Sequence, residues 1–308
     1  MPAAIAGLIW AIAFVLLESV QFVWFGGLFQ QVNSFVFGFG VLGMVVILFL
    51  GRAVLVVPEE LGRALRQPGL LLRINAAAAL GWVAFLGAVQ LIEPAVAYTI
   101  GAGVMPLTAL ALYRLGWREG EPLRNRAEAL GTGIVGLAVL ALGGVTLAGL
   151  SGFVRGGGAV AALGVALAVA DGVLFTLMLA WCQRLGRHGV GPGAIFGLRF
   201  PLYVLLAGSV GLVTAEAAEV PRGWDMAWMM ALGLVLIVPP LYALQRAVAL
   251  VSTMTLGAMT AAGPLVIFLL QIAEGRVAQS GVTLAGLGLY FAGAVIAAAG
   301  AVRAVVRS

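Results

Sequence analysis

The sequence predicts an all-α integral membrane protein, with ten transmembrane helices arranged as two inverted five-helix repeats and both termini in the cytoplasm. Three observations support this fold class: the apolar composition, the number of long apolar segments, and the uneven distribution of arginine between loops. Of the 308 residues, 63% are hydrophobic and only 9% are charged, and the mean hydropathy is +1.13. Since a soluble domain carries about 25% charged residues, this composition excludes a soluble enzyme, a nucleic-acid-binding domain and a disordered protein.

Ten apolar segments are each long enough to cross a bilayer, which takes roughly 20 residues at about 1.5 Å each. We expect the spans at residues 3–25, 34–57, 72–92, 94–115, 128–150, 158–182, 194–215, 226–246, 248–272 and 280–302. The first segment is interpreted as an uncleaved span, because no basic stretch precedes it and no clear cleavage site follows it. The connections between the spans leave no room for a soluble domain.

Arginine supplies all 17 basic residues, and its distribution predicts the orientation of the spans. With the N-terminus inside, 14 arginines fall on the cytoplasmic side and only Arg155, Arg222 and Arg276 fall on the other. Cytoplasmic loops carry the excess of basic residues in membrane proteins. One missed or added helix would move every later loop to the other side and remove this bias. The net charge of +5 is therefore attributed to membrane orientation and not to nucleic-acid binding.

The two halves of the chain, residues 1–152 and 153–308, resemble each other. Pro106 lies midway along the predicted fourth span and Pro264 midway along the ninth, and each is followed by an apolar half-helix, a charged turn and a Gly-rich helix. Five helices per copy is an odd number, so the second copy crosses the membrane in the opposite sense. Such inverted repeats are typical of secondary transporters, which bind substrate near the midplane. Both prolines are expected to kink their helices, although proline is also common in membrane helices.

The chain resembles the drug/metabolite transporter superfamily, in particular its ten-helix exporters built from two EamA-type repeats. The resemblance is carried by the Trp10 region, the Pro106 and Pro264 helices, the Glu274-Gly275 turn, Gln279 and the stretch 286–293. It implies a basket of ten helices that alternates between inward-open and outward-open states. Members of the superfamily export amino acids and related metabolites, and some relatives import small organic solutes.

Ionisable residues inside predicted spans are the first candidates for function, because a charge at the bilayer centre costs from about 3 to over 10 kcal/mol. Asp171 lies near the centre of the sixth span, Glu18 in the outer half of the first, and Arg199 in the inner third of the seventh. Asp171 is interpreted as a proton-coupling or amine-binding carboxylate, or as the partner of Arg199 in a buried ion pair that joins two helices. Both interpretations hold if the pair breaks during transport.

Glu18 shares a helix face with Gln21, three residues later, so the stripe that they form is expected to face the protein interior. It is interpreted as a cation site or as one end of an inter-helix hydrogen bond to Asn75 or Gln90. Glu93 lies near a predicted span end, where we expect an interfacial, solvated carboxylate. Glu216, also near a span end, carries the same expectation.

Aromatic residues are expected to complete the site. Four of them lie away from the predicted span ends: Trp10, Trp82, Tyr98 and Tyr242. An ammonium over an aromatic ring gains about 0.5–2 kcal/mol, although Trp and Tyr also populate membrane interfaces. Pro239 and Pro240 should kink the eighth helix, as a gate or as a static bend. The Gly-rich fifth and tenth helices are interpreted as close-packing surfaces.

The predicted function is secondary transport of a small organic metabolite, an amino acid, an amine or a similar cation or zwitterion. Export by alternating access is expected, driven by the proton gradient or by substrate exchange; the alternatives are an uptake permease and a lipid flippase. An enzyme is not expected, since no Ser/His or paired-carboxylate arrangement accompanies the lone His188. No cofactor and no metal are expected, and the partners are the substrate, the lipid bilayer and protons. We expect a monomer or weak homodimer in a bacterial cytoplasmic (inner) membrane.

Overall fold

The computed structural model describes residues 3–28, 33–214, 224–260, 263–274 and 280–307, and within these ranges the chain forms thirteen helices and no named strand. The helices are α1 (Ala3–Leu28), α2 (Ser34–Val56), α3 (Pro58–Leu65), α4 (Pro68–Leu91), α5 (Pro94–Arg114), α6 (Arg126–Leu147), α7 (Gly158–Arg187), α8 (Pro192–Leu198), α9 (Pro201–Thr214), α10 (Trp224–Val248), α11 (Thr253–Thr260), α12 (Gly263–Glu274) and α13 (Gly281–Arg307).

Eight segments of the described chain are helical, long and apolar enough to cross a membrane. They are Phe35–Val56, Pro68–Leu91, Pro94–Arg114, Arg126–Leu147, Gly158–Arg187, Pro192–Val213, Ala227–Val248 and Gly281–Arg303. The predicted first span contains a shorter apolar helix, Ile5–Gln21. The predicted ninth span is described as α11 and α12, on either side of Ala261-Ala262, which lie outside the described residues. An all-α multi-pass membrane protein is thus the observed class, and ten crossings stay a prediction.

Large apolar side chains cover the outside of the helix bundle. Leu55 is 83% exposed, Leu140 74% and Leu212 90%. Water would not favour so many exposed apolar groups, whereas hydrocarbon solvates them well. The surface therefore fits a lipid environment.

The loops that carry most of the arginines contact one another at one end of the bundle, here called the Arg-rich end. The Arg63 Nε–H donates to the Gly189 carbonyl over 2.9 Å, and Arg184 forms an ion pair with Glu119 at 3.3 Å. The loop before α6 also reaches α11, where the Arg124 guanidinium donates to Thr255 Oγ1 over 3.1 Å. These contacts place loops that are far apart in sequence on one side.

The opposite end is held by a contact between the α4–α5 and α6–α7 connections. Ile92 and Val154 form an isolated antiparallel bridge, and the Arg155 N–H donates to the Leu91 carbonyl over 3.0 Å. The α4–α5 connection is therefore anchored away from the Arg-rich end.

Two features of the fold were not predicted from the sequence. The connection between the predicted second and third spans contains the short helix α3, which begins with Pro58 and has Glu59 and Glu60 in its first turn. Proline and acidic residues both favour a helix N-terminus. In addition, the predicted seventh span is divided into α8 and α9 just before Pro201, which has no backbone N–H and disfavours helix in the residue before it.

The Gly-rich helices α6 and α13, interpreted from the sequence as close-packing surfaces, pack against each other at glycine residues. A Cβ atom at Gly131 would lie 2.3 Å from the Ala297 backbone nitrogen, and one at Gly293 would lie 2.8 Å from the Val135 nitrogen. Such distances leave no space for a side chain, so glycine allows the backbones to touch. By contrast, a Cβ atom at Gly288 would meet nothing within 4 Å.

Replacing Gly293 by Ala is expected to destabilise the protein by about 1–3 kcal/mol, because the new methyl group meets backbone atoms that move only if the two helices separate. Gly288→Ala, in the same helix, is the matched control and should be neutral or slightly stabilising, since alanine is the better helix former. Thermal unfolding of the purified protein in detergent measures both effects. Equal midpoints for the two variants would contradict the packing described here.

Candidate functional site

Two carboxylates and a tyrosine from three helices meet in the bundle interior and form what we call the acid cluster: Glu18 of α1, Tyr98 of α5 and Asp171 of α7. The Tyr98 hydroxyl donates a hydrogen bond to Glu18 Oε2. Tyr98 is buried, and the charges of Glu18 and Asp171 are close enough to interact. The chain separates Glu18 from Tyr98 by 80 residues, so this contact exists only because the tertiary structure brings the two side chains together.

Asp171 points toward glycines on the two neighbouring helices. A Cβ atom at Gly101 of α5 would lie 2.9 Å from Asp171 Oδ2, and one at Gly81 of α4 would lie 3.8 Å from Oδ1. The carboxylate thus occupies the space that these glycines leave free, which directs it into the bundle and away from lipid. Among the described residues, no ion pair includes Asp171.

The helices that carry Tyr98 and Asp171 touch at Gly172. A Cβ atom at this position would lie 2.4 Å from the Gly101 carbonyl oxygen, so α5 and α7 approach each other to backbone contact. Next to this contact, the Thr176 hydroxyl donates to the Gly172 carbonyl over 2.7 Å and reaches the Met105 carbonyl at 3.4 Å. The cluster is therefore built on closely packed helices.

The first residues of α12 close another side of the acid cluster. A Cβ atom at Gly263 would lie 2.8 Å from the Tyr98 hydroxyl, and the Ser19 hydroxyl lies 3.4 Å from the Gly263 carbonyl. Gln21, on the same face of α1 as Glu18, is 7% exposed. Pro264 is the second residue of α12 and is buried beside this contact. This proline, which matches Pro106 in the first half of the chain, therefore lies in the first turn of a helix.

Pro106 lies inside α5, and α11 crosses it there. A Cβ atom at Gly257 would lie 3.5 Å from Pro106 Cδ, and the Thr260 hydroxyl lies 3.8 Å from the Met105 sulfur. Since proline has no N–H, the Ala102 carbonyl one turn earlier lacks its usual partner. Both matched prolines therefore lie near the helices that bear the acid cluster.

Tyr290 of α13 is a polar residue near this region that sequence reasoning missed. Its side chain is fully buried, and its hydroxyl has no hydrogen-bond partner among the described residues. A Cβ atom at Gly103 would lie 2.8 Å from the Tyr290 ring. A tyrosine in the middle of the Gly-rich helix was the signal available in the sequence, since the other residues around it are small or apolar.

The predicted pair between Asp171 and Arg199 does not form. Arg199 is 1% exposed, its Nη1 donates to Gln245 Oε1 over 3.2 Å, and its guanidinium lies 5.0 Å from the Phe196 ring and 4.5 Å from the Phe200 ring. Arg199 is close enough to Cys182 to interact with it electrostatically, and Cys182 lies eleven residues beyond Asp171 on α7, which is about 16 Å along a helix. Arg199 thus lies toward the Arg-rich end, too far along the bundle to reach Asp171.

The four candidate aromatic residues divide between the two regions. Trp10 and Tyr242 pack edge to face at 6.3 Å, and Tyr242 contacts Phe196 at 6.2 Å beside Arg199. Tyr98 belongs to the acid cluster. Trp82, next to Gly81, contacts the Tyr203 ring of α9 at 5.9 Å and lies between the two regions. The ring contacts of the described residues thus pair Trp10 with Tyr242 and Trp82 with Tyr203, and a cavity lined by all four candidates stays a prediction.

The remaining candidates lie on the third and eighth predicted spans and have separate surroundings. Asn75, one predicted partner of Glu18, instead bridges the break between α8 and α9: its Nδ2 donates to the Leu198 carbonyl over 2.7 Å and its Oδ1 accepts from the Leu202 N–H over 3.2 Å. Pro239 and Pro240 lie inside α10, five or six residues before Gln245, with Pro239 exposed and Pro240 buried.

Glu93, expected to be solvated at a span end, is only 3% exposed, and that expectation was wrong. Its Oε2 accepts a hydrogen bond from the Gly152 N–H over 2.9 Å, at the connection that joins α4–α5 to α6–α7. Burial raises the pKa of the Glu93 carboxyl, and the hydrogen bond from Gly152 opposes this shift. Glu216, which carried the same expectation, lies outside the described residues.

Because the folded state raises the pKa of Glu93, it binds this proton more tightly than the unfolded state does. Stability should therefore fall as pH rises from about 4.5, the ordinary value, through the raised value. Glu93→Gln keeps an oxygen acceptor for the Gly152 N–H and removes the charge, so its unfolding midpoint should change less over pH 4–8 and exceed that of the wild type at the upper end. Glu59→Gln, at a side chain that is 88% exposed, is the control. Parallel pH profiles for Glu93→Gln and the wild type would contradict the assignment.

Among the described residues, no group of three or more His, Cys, Asp or Glu side chains is arranged so that it could hold a metal ion.

Comparison with known proteins shows similarity in fold. No known protein family matches the chain, and no curated protein matches it. A solved structure described only as "Crystal structure of protein" is similar with a TM-score of 0.68 over 98% of both chains, at 19% sequence identity. The chain therefore shares its helical architecture with a protein of known structure over nearly its whole length.

Proposed function

We propose that this chain is a secondary transporter that moves a small organic cation or zwitterion, an amino acid or amine, across the bacterial cytoplasmic membrane by alternating access. The observation that carries the proposal is the acid cluster, in which Glu18 from the first half of the chain and Asp171 from the second half meet beside Tyr98. The resemblance to the drug/metabolite transporter superfamily, whose members export such metabolites, supports the same conclusion.

Carboxylates in a membrane interior are costly, so each needs a compensating interaction. A substrate ammonium placed between Glu18 and Asp171 would supply a charge-assisted hydrogen bond to each carboxylate. Tyr98, which already bonds Glu18, presents an aromatic ring whose face attracts cations. The acid cluster thus offers what an amine requires and lacks basic groups that would attract an anion.

The same two carboxylates provide a means of coupling to the proton gradient. A carboxylate that holds the substrate cation in one conformation and a proton in the other exchanges the two across the membrane. Helix α12 contacts both α1 and Tyr98, so a movement of α12 would open or close the acid cluster. Export against proton entry follows if the proton is taken up from the outer side.

The experiment is counterflow in liposomes that contain the purified protein and a panel of labelled amino acids, amines and lipids. We expect transport of an amino acid or amine. Transport should be faster when an imposed proton gradient drives protons in the direction opposite to the movement of the substrate. Liposomes with the Glu18→Gln/Asp171→Asn double variant are the matched control. Movement of lipid alone would favour a flippase, and chemical conversion of a substrate would favour an enzyme; either result would refute the proposal.

A further inference from the structure

A buried arginine without an acidic partner lies at the break between α8 and α9. Arg199 is 1% exposed, and within the described part of the chain no carboxylate forms an ion pair with it. A buried cation is strongly unfavourable unless it is paired and hydrogen-bonded. The bundle therefore holds a positive charge whose counter-charge is not among the described residues.

The surroundings of Arg199 leave one buried donor of the guanidinium unpaired within the described part of the chain. The rings of Phe196 and Phe200 lie close to it, at 5.0 and 4.5 Å, and Gln245 accepts one hydrogen bond from Nη1. The buried Nε–H has no partner among the described residues. A guanidinium has five N–H donors in a planar fork that matches a carboxylate. The two rings and Gln245 therefore hold Arg199 in one orientation, with the Nε–H as an unpaired donor in the membrane interior.

The backbone around Arg199 is irregular and is held in place. The α8 helix ends at Leu198 and α9 begins at Pro201, and Asn75 of α4 binds the Leu198 carbonyl and the Leu202 N–H across this break. Non-helical backbone within a span is tolerated where it is buried in protein or lines a polar cavity, and broken helices form substrate sites in transporters. The break thus places Arg199 beside irregular backbone of the kind that accompanies substrate sites in transporters.

We infer that Arg199 and Gln245 form a second subsite, which binds the carboxylate of a zwitterionic substrate on the Arg-rich side of the acid cluster. The inference rests on the proposed function and deepens it, because it selects amino acids over simple amines. The separation of about 16 Å between Asp171 and Cys182 exceeds the length of a small amino acid, so the two subsites bind the substrate in succession. Trp82 and Tyr203, in contact at 5.9 Å, lie between them.

The test compares an amino acid with the amine that lacks only its carboxylate, in counterflow and in thermal stabilisation of the purified protein. The wild type should prefer the amino acid. Arg199→Gln should reduce that preference about tenfold or more, the scale of a lost charge-assisted hydrogen bond, while amine transport persists. Gln245→Glu keeps Arg199 and gives it a fixed carboxylate, so it should exclude the substrate carboxylate, reduce the preference in the same way and retain the fold.

The outcomes separate this inference from the proposed function. If the wild type moves amines and amino acids equally well, or if the two compounds stabilise it equally, the carboxylate subsite is refuted. The proposed transport function is retained in that case. If either variant lowers transport of both compounds by the same factor, Arg199 acts only in structure and the inference is wrong. If the wild type moves neither class of compound, both proposals fail.

Discussion

Asp171→Asn is expected to lower transport at least about tenfold while the amount of folded protein in the membrane stays unchanged. The amide has the size of the carboxylate but cannot carry its charge, so the substrate ammonium loses an interaction of about 1.5–3 kcal/mol. Glu18→Gln, tested separately, should act in the same direction, since Gln still accepts the hydrogen bond from Tyr98 and only the charge is removed.

The matched controls for these two variants are exposed acids outside the acid cluster. Asp225→Asn changes an exposed side chain in the first turn of α10, and Glu59→Gln changes a side chain that is 88% exposed. Both should retain the wild-type rate of counterflow, measured at matched amounts of reconstituted protein. Unaltered transport in Asp171→Asn and in Glu18→Gln would remove the acid cluster from the mechanism.

Gly172→Val should abolish accumulation of folded protein. The Cβ atom at Gly172 would lie 2.4 Å from the Gly101 carbonyl oxygen and 2.8 Å from Val104 Cβ, so α7 must move away from α5 to admit any side chain. Gly172→Ala should fold with a loss of about 1–3 kcal/mol, the usual cost of overpacking. This variant should also transport poorly, because the same movement separates Asp171 from Tyr98.

Gly158→Ala is the control for the Gly172 substitutions, since it changes a glycine of the same helix at which a Cβ atom meets nothing within 4 Å. Size-exclusion profiles and unfolding midpoints in detergent distinguish the variants. A monodisperse Gly172→Val protein with a wild-type midpoint would show that α5 and α7 are not in backbone contact.

Several span boundaries were predictable from composition. The predicted spans 34–57 and 94–115 correspond to α2 (Ser34–Val56) and α5 (Pro94–Arg114), because proline and arginine mark the ends of apolar segments. The sixth span was predicted to end at 182, whereas α7 continues to Arg187. Gln, Arg and Leu are good helix formers, so this helix extends beyond the apolar segment that crosses the bilayer.

The partners of the candidate residues were harder to predict. Hydrophobicity indicates that Glu18 and Asp171 avoid lipid, but it does not indicate that Tyr98 binds Glu18 or that Asp171 lies over Gly101. The pairing of Asp171 with Arg199 was one of two interpretations of Asp171 from its adjacent helix, and this structure does not contain the pair. Neighbouring helices bring together only residues at the same depth, and Arg199 lies near Cys182, eleven residues along α7 from Asp171.

Composition, arginine counts and apolar segment lengths by themselves determined that this chain is an all-α membrane protein with acidic and basic groups inside its spans. These properties follow from the cost of exposing polar groups to hydrocarbon, which acts on each segment separately. Only the tertiary structure decided that the acids and the arginine form two separate regions. That arrangement depends on which helices approach through glycine and at what depth each side chain lies, and both are set by contacts between residues far apart in the chain.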